Sequence, residues 1–277
     1  MSGRGSSFAV VIRSAQHPAL KDARRLEADA GARRKEGRAI AWGRHLALEA
    51  LAAGVPIERA LLAPDLEDDA EGGRIAAAIE EAGVPALRVA AALLDGIAAG
   101  AGDQRVVLVL RRRAPTLAEL LQRRPGLLLA AHGVQDPGNL GSMIRSAHAL
   151  GADGVLTFEG SADPWSSRAL RAAMGAAFRL PIVETESAAA LEALRGAGLR
   201  IVAADAAAGS PPAAVDLRPP AVILVGREGA GLPRPLLDAA ETKVGIPMQP
   251  GVDSLNVHAA AAILLYEARR QRDEAGR

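Results

Sequence analysis

The second half of the chain is punctuated by short apolar runs that do not alternate. They are "GLLLAAHGV" from Gly126, "ADGVLTF" from Ala152, "LRIVAAD" from Leu199 and "PAVILVG" from Pro220. A strand with one wet face alternates apolar and polar side chains, so a run without alternation must be covered on both faces. The stretches between them have helical spacing: "NLGSMIRSAHALG", "SSRALRAAMGA", "SAAALEALRGAG", "LPRPLLDAA" and a final "SLNVHAAAAILLYEARRQR". "RLPIVE" and "TKVGIPM" supply two further expected strands. Strands alternating with helices build a mostly parallel sheet with helices on both sides. Such sheets bind ligands beyond the carboxyl ends of their strands, so the loops after the strands carry the functional argument.

Three of those loops are rich in polar groups. The first runs from His132 through "DPGNLGSMIRSAHALG" and places Asn139 near a helix start, with Arg145 further along. Ser142, Arg145 and Ala149 share one helical face by their spacing. The second is "LVGREGAGLP", where glycines around Glu228 let backbone approach a ligand closely. It is neither the dinucleotide fingerprint, which should follow a first strand and open a helix with an acid roughly 20 residues on, nor a phosphate loop, because no Gly-Lys-Ser/Thr follows. The third is "IPMQPGVDSLNVHAAAAILLYEA", where a strand end gives way to a polar turn and then to an apolar helix. Either Asp253 or Ser254 suits the N-cap of that helix. One cap does not account for Asn256 and His258 as well, so the first turn is expected to face a site or another chain. The helix itself is apolar nearly all round and should be buried.

The first half mixes helical and strand signals. "PALKDARRLEADAGARRKEG" reads as a basic helix, "RHLALEALAAG" as an amphipathic helix closed by Gly54, and "GRIAAAIEEAG" as another. "IERALLAP", "PALRVA" and "QRVVLVL" read as strands. The expected organisation is a small α/β unit over residues 1–112, a linker over 113–125 with one short helix, and an α/β domain over 126–277.

Composition narrows the chemistry. The chain has no cysteine, which removes disulfides, zinc-thiolate sites and thiol catalysis. No apolar run reaches the ~18–20 residues that a membrane span needs, and no metal-ligand cluster stands out. A soluble, cytoplasmic protein is expected. Aromatic residues make up 2% of the chain, too few for general base stacking. Charge is uneven beneath a net of +1: residues 1–45 hold 10 Lys/Arg against 4 Asp/Glu, and residues 105–124 hold 6 against 1. These basic blocks suggest either an anionic partner such as RNA or a solvated helix face.

Taken in order, "DPGNLGSMIRSAHALGADGVL", "LVGREGAGL" and "IPMQPGVDSLNVHAAAAILLYE" resemble the three motifs of the SpoU branch of the SPOUT superfamily, the TrmH-like RNA ribose 2′-O-methyltransferases. The resemblance covers about residues 125 to 270. Residues from "IRSAQHPALKDARRL" onward resemble that family's ribosomal protein L30e-like substrate-binding domain, with Trp42 in "AIAWGRHLALEAL" departing from its usual pattern.

The resemblance implies a trefoil-knotted domain that binds S-adenosylmethionine through knot-loop backbone, with Gly226, Ile246 and Leu255 bordering the cofactor. It implies a homodimer with the site at the subunit interface, and a ribosomal RNA target in preference to transfer RNA. It assigns the chemistry to Asn139, Arg145, Glu228, Ser254 and Asn256. Arg145 either activates the ribose hydroxyl or holds the adjacent phosphate; Asn139 orients Arg145 or the ribose, and Glu228 positions Arg145 or its neighbours. Ser254 and Asn256 bond the substrate or secure the site, and His258 is either a satisfied structural histidine or an RNA contact. The competing readings are a nucleotide-dependent α/β enzyme and a non-catalytic RNA-binding protein of the same fold.

Overall fold

The computed structural model describes residues 10–97, 105–252 and 254–275. The chain folds into two compact units. One comprises Met1–Arg112 with Trp165–Ser167, and the other comprises the remainder from Arg113.

The first unit runs α1 (Pro18–Ala28), α2 (Ala30–Glu36), β1 (Arg38–Trp42), α3 (Arg44–Ala52), β2 (Ile57–Leu62), α4 (Ala70–Glu81), β3 (Ala86–Arg88), α5 (Ala91–Asp95) and β4 (Val106–Arg111). Its sheet has the order β1-β4-β2-β3. Strand β4 is antiparallel to β1 and β2, while β2 and β3 are parallel. The basic stretch after Pro18 is two helices, not the single helix its charge pattern suggests. Asp29 is extended, with φ −117°, and its side chain accepts the Ala32 amide at 3.1 Å. An aspartate that caps the next helix ends the previous one. Strand β1 carries no clear sequence signal, because "RAIAW" is short and rich in alanine, yet four of its five residues are buried. Neighbours on both sides, α1 and β4, make it a strand.

The second unit runs α6 (Leu117–Gln122), β5 (Leu127–Ala131), α7 (Pro137–Ala149), β6 (Gly154–Thr157), α8 (Ser167–Ala173), β7 (Ile182–Glu184), α9 (Ser187–Gly196), β8 (Arg200–Ala204), β9 (Ala221–Val225), α10 (Arg234–Ala239), β10 (Thr242–Val244) and α11 (Val257–Ala275). Its strands form one parallel sheet in the order β10-β8-β9-β5-β6-β7. Strands β5 and β9 lie side by side at its centre with every residue buried, as their unbroken apolar runs require. One face carries a core built around Leu128, Leu156, Leu194, Ile201 and Leu224. Helix α11 packs on α7 and on β9.

Strand β10 is shorter than "TKVGIPM" suggests. The Gly245 amide leaves the ladder to donate to the Ser210 carbonyl at 2.9 Å. A side chain on Gly245 would sit 2.3 Å from the Ala208 carbonyl oxygen, so only glycine lets the chain pass there. The far end of α11 is held by Arg272. It donates to the carbonyls of Leu217, Pro219 and Gly126, each at 2.9 Å. Burial lowers the pKa of this guanidinium, while Asp153 acts the other way. No described helix is long and apolar enough to cross a membrane.

Candidate active site

Chain order reverses between β5 and β9. From β5 the sheet continues outward through β6 and β7, and the chain then returns to the other side for β8, β9 and β10. A crevice opens at the carboxyl ends of strands wherever such a reversal occurs. The three polar loops follow β5, β9 and β10, so the topology brings all of them to this one end.

The loop after β5 enters α7 through Asp136, whose carboxylate accepts the Asn139 amide at 2.8 Å. Arg168 pairs with the other oxygen of Asp136 at 2.7 Å. Asn139 therefore stands in the first turn of α7, with its side chain free to reach across. Its Nδ2 donates to Glu228 Oε1 at 2.6 Å. Asn256 Nδ2 donates both to Glu228 Oε1, at 2.9 Å, and to Asn139 Oδ1, at 3.1 Å. Three residues distant in sequence thus close one hydrogen-bonded triangle, and one carboxylate oxygen receives two amide donors.

Asn256 is also the N-cap of α11. Its Oδ1 accepts the amides of His258, at 2.9 Å, and Ala259, at 3.4 Å. This corrects the sequence expectation that Asp253 or Ser254 caps the helix. Asp253 lies outside the described residues, and Ser254 precedes the cap by two positions. The correction has a physical consequence. A cap oxygen turned to the helix amides leaves the same amide group's nitrogen pointing away from them, towards Glu228.

Beside the triangle lies an open cleft. Gly226, Ile246 and Leu255, the expected cofactor positions, all line it, together with Glu228 and Ser254. Asp205, at the end of β8, lines it too and was not singled out by the sequence; nothing in "IVAADAAAGS" distinguishes that aspartate from a surface turn. Among the described residues the amides of Ile246 and Leu255 have no protein acceptor, so two backbone donors are left for a ligand. Gly226 serves its own loop. A Cβ there would lie 2.2 Å from the carbonyl carbon of Gly231, so glycine is demanded by a backbone crossing. A second cleft is lined by Gln135, Asp136 and Asn139 and shares Arg227 and Glu228 with the first.

Arg145 lies on α7, exposed, and donates no hydrogen bond to any described residue. The structure thus places Glu228 on the two asparagines and not on Arg145, and Asn139 likewise. The titratable group that Arg145 acts on is the ring of His258. That imidazole is held by Ser146, Oγ to Nε2, at 3.0 Å. Its pKa is lowered, first by burial and then by Arg145.

The basic blocks look different in three dimensions. Arg25 and Arg38 are bound to Asp22 and Glu36, and Arg38 also pairs with Glu58 at 2.8 Å. Buried Arg33 donates to the Leu26 and Glu27 carbonyls, and Arg44 pairs with Asp69 at 2.7 Å. Arg111 pairs with Glu58 at 2.9 Å. A charge count treats all of these as available to an anionic partner, whereas these five have partners within the protein.

Residues 126–266 match the model of the SpoU rRNA Methylase family, and residues 40–116 match that of RNA 2′-O ribose methyltransferase substrate binding. An uncharacterized tRNA/rRNA methyltransferase of Mycobacterium ulcerans is 32% identical over 98% of this chain and 89% of its own length. The AdoMet-bound rRNA methyltransferase of Sinorhizobium meliloti superposes with a TM-score of 0.82 at 32% identity, over 95% of this chain and 98% of that one. The SpoU methyltransferase AviRb of Streptomyces viridochromogenes, in complex with AdoMet, gives 0.81 at 27% identity, over 93% and 99%.

Proposed function

The chain belongs to the SpoU rRNA methylase family, and on that basis we propose that it methylates the 2′-hydroxyl of one ribose in a structured ribosomal RNA. It is an S-adenosylmethionine-dependent RNA ribose 2′-O-methyltransferase. The observation that carries the residue-level reading is the Asn139–Glu228–Asn256 triangle, set between a large cleft and a smaller one.

The larger cleft fits the cofactor. Two unsatisfied backbone amides, at Ile246 and Leu255, suit recognition of a nucleoside and its amino-acid tail, and Leu255, Met248 and Val244 offer apolar contact. When bound, S-adenosylmethionine supplies an electrophilic methyl group. The reaction partner is the lone pair of a ribose 2′-oxygen, which is a poor nucleophile while protonated. Arg145 is a poor base, because a guanidinium keeps its proton throughout the physiological range. We assign it the phosphate beside the reacting ribose, where its fork steadies the negative charge that develops on the 2′-oxygen. The smaller cleft, next to Asn139, suits the ribose. Glu228 holds both asparagines in register, and Ser254 faces the cofactor side.

The first unit is assigned to RNA substrate binding, with the boundary at Arg112 and the linker over 113–125. Its match over residues 40–116 supports this. A homodimer accounts for two apolar residues of α11 that face water in the single chain, Ile263 at 40% exposure and Tyr266 at 59%. Equilibrium sedimentation tests that point. The trefoil-knotted threading is proposed from membership of the family. A cytoplasmic location goes with a ribosomal RNA target.

The test is to map 2′-O-methyl groups across ribosomal and transfer RNA from cells with and without the gene. One methyl lost on deletion, restored by the wild-type gene and not by Arg145→Ala, is the expected result. No lost methyl in either RNA class would refute the proposal.

A further inference from the structure

Arg145 has no hydrogen-bonding partner among the described residues, yet an exposed arginine that must meet one phosphate needs its base held still. The structure holds it through its neighbour. Ser146 follows Arg145 on α7, and its hydroxyl meets the ring of His258 on α11 at 3.0 Å. His258 is also fixed at its backbone, where its amide donates to the Asn256 cap at 2.9 Å. One residue thus ties the α7–α11 seam to the triangle of Asn139, Glu228 and Asn256, beside the arginine.

We propose that His258 is a positioning residue for Arg145, fixing through Ser146 the turn of α7 that carries the guanidinium while its imidazole is neutral, and letting the arginine leave its station when the ring takes up a proton. The proposal rests on the function assigned to Arg145 above. A protonated ring at Ser146 would repel the cation carried by the preceding residue of α7, and that exposed arginine is free to swing away. The charged group acting on the ring from α7 is Arg145. Glu228, in the loop after β9, is committed to the amides of Asn139 and Asn256. Strand β9 and the turn at Pro212–Ala214, which also pack on α11, have no titratable side chain. The lowered pKa of His258, from burial and then from Arg145, agrees with a ring that is neutral in the working enzyme.

Two measurements test this. The first is the pH dependence of kcat for methyl transfer to ribosomal RNA lacking the modification, in wild type, His258→Asn and Ser146→Ala. Wild type should lose activity as pH falls below the ordinary histidine range. His258→Asn should lose that acid limb, and its plateau kcat should fall about tenfold with KM for S-adenosylmethionine unchanged. Ser146→Ala should lower the plateau and keep the limb. An acid limb that persists in His258→Asn would overturn the proposal. His258→Gln replaces it if His258→Asn does not fold, judged by circular dichroism.

The second measurement needs no catalysis. The His258 ring is titrated by NMR in wild type and in Arg145→Met, its signal identified by loss in His258→Asn. The midpoint should rise when the arginine is removed. An unchanged midpoint would overturn the coupling. If wild type transfers no methyl group, the proposed function falls; a raised midpoint then still supports the pairing, and an unchanged one removes that too.

Discussion

The two units use polar side chains in opposite ways. In the first, Arg38 leaves β1 to meet Asp22, Glu36 and Glu58, and Arg25 joins Asp22 and Glu36. Opposite charges satisfy one another at the edge of a mixed sheet. In the second, the side chains that join the loops stand at the carboxyl ends of a parallel sheet and are two amides gathered round one carboxylate. The charged residue assigned to chemistry there, Arg145, is exposed and makes no hydrogen bond to a described residue. A high density of charge therefore marks where the protein holds itself together. The functional end is marked by amides whose geometry is fixed from both sides and by a cation that is not yet spent.

Arg145→Ala puts this contrast at greatest risk. It should lower kcat by about 10²–10³, the usual cost of removing a preorganised donor, with no change in melting temperature. A loss of stability equal to that of a core mutation would instead make Arg145 structural. Next comes Gly226→Ala, whose Cβ has no room against the Gly231 backbone. Calorimetry should show S-adenosylmethionine affinity weakened about tenfold or more, roughly 1.4 kcal/mol or above.

In the first unit, Arg38→Met should cost about 1–2 kcal/mol in urea unfolding. That lies between exposed and buried ion pairs, and cofactor affinity should not move. If affinity falls as well, the contrast between the units is wrong. Asn256→Ala should cost about 1 kcal/mol through the lost cap, and it should lower kcat, since the same side chain holds Glu228. A stability loss without a kinetic one would confine Asn256 to capping.

The smallest effect is on pH. Arg25 and then Arg38 hold the Glu36 carboxyl down at about 2, against an ordinary value of 4.5. A carboxylate with a depressed folded pKa stabilises fully above its unfolded value and loses that contribution as pH falls towards the folded one. Amide exchange in β1 should therefore accelerate, relative to β5, as pH drops from about 4.5 towards 2, after correction for intrinsic rates. Equal acceleration in both strands would remove the ion pairs as the cause.

Much of this was legible from the chain alone. Unbroken apolar runs at Leu127–Ala131 and Ala221–Val225 specify doubly covered strands, since no other arrangement hides both faces. The motif positions Gly226, Ile246 and Leu255 line one cleft. Other features were out of reach. Strand β1 is a strand because β4 and α1 flank it, and local propensity does not carry that information. Asn256 is the cap of α11 because the chain passes Glu228 and Asn139 first, a matter of three-dimensional crossing. The basic residues of α1, α2 and β1 look available in a charge count because sequence says nothing of which carboxylates lie opposite. Periodicity is written along the chain, and with it come the parallel sheet and the residue types at its loops. The hydrogen bonds those residues make are not written there, because a bond between positions 139 and 256 depends on where the folded sheet reverses its order.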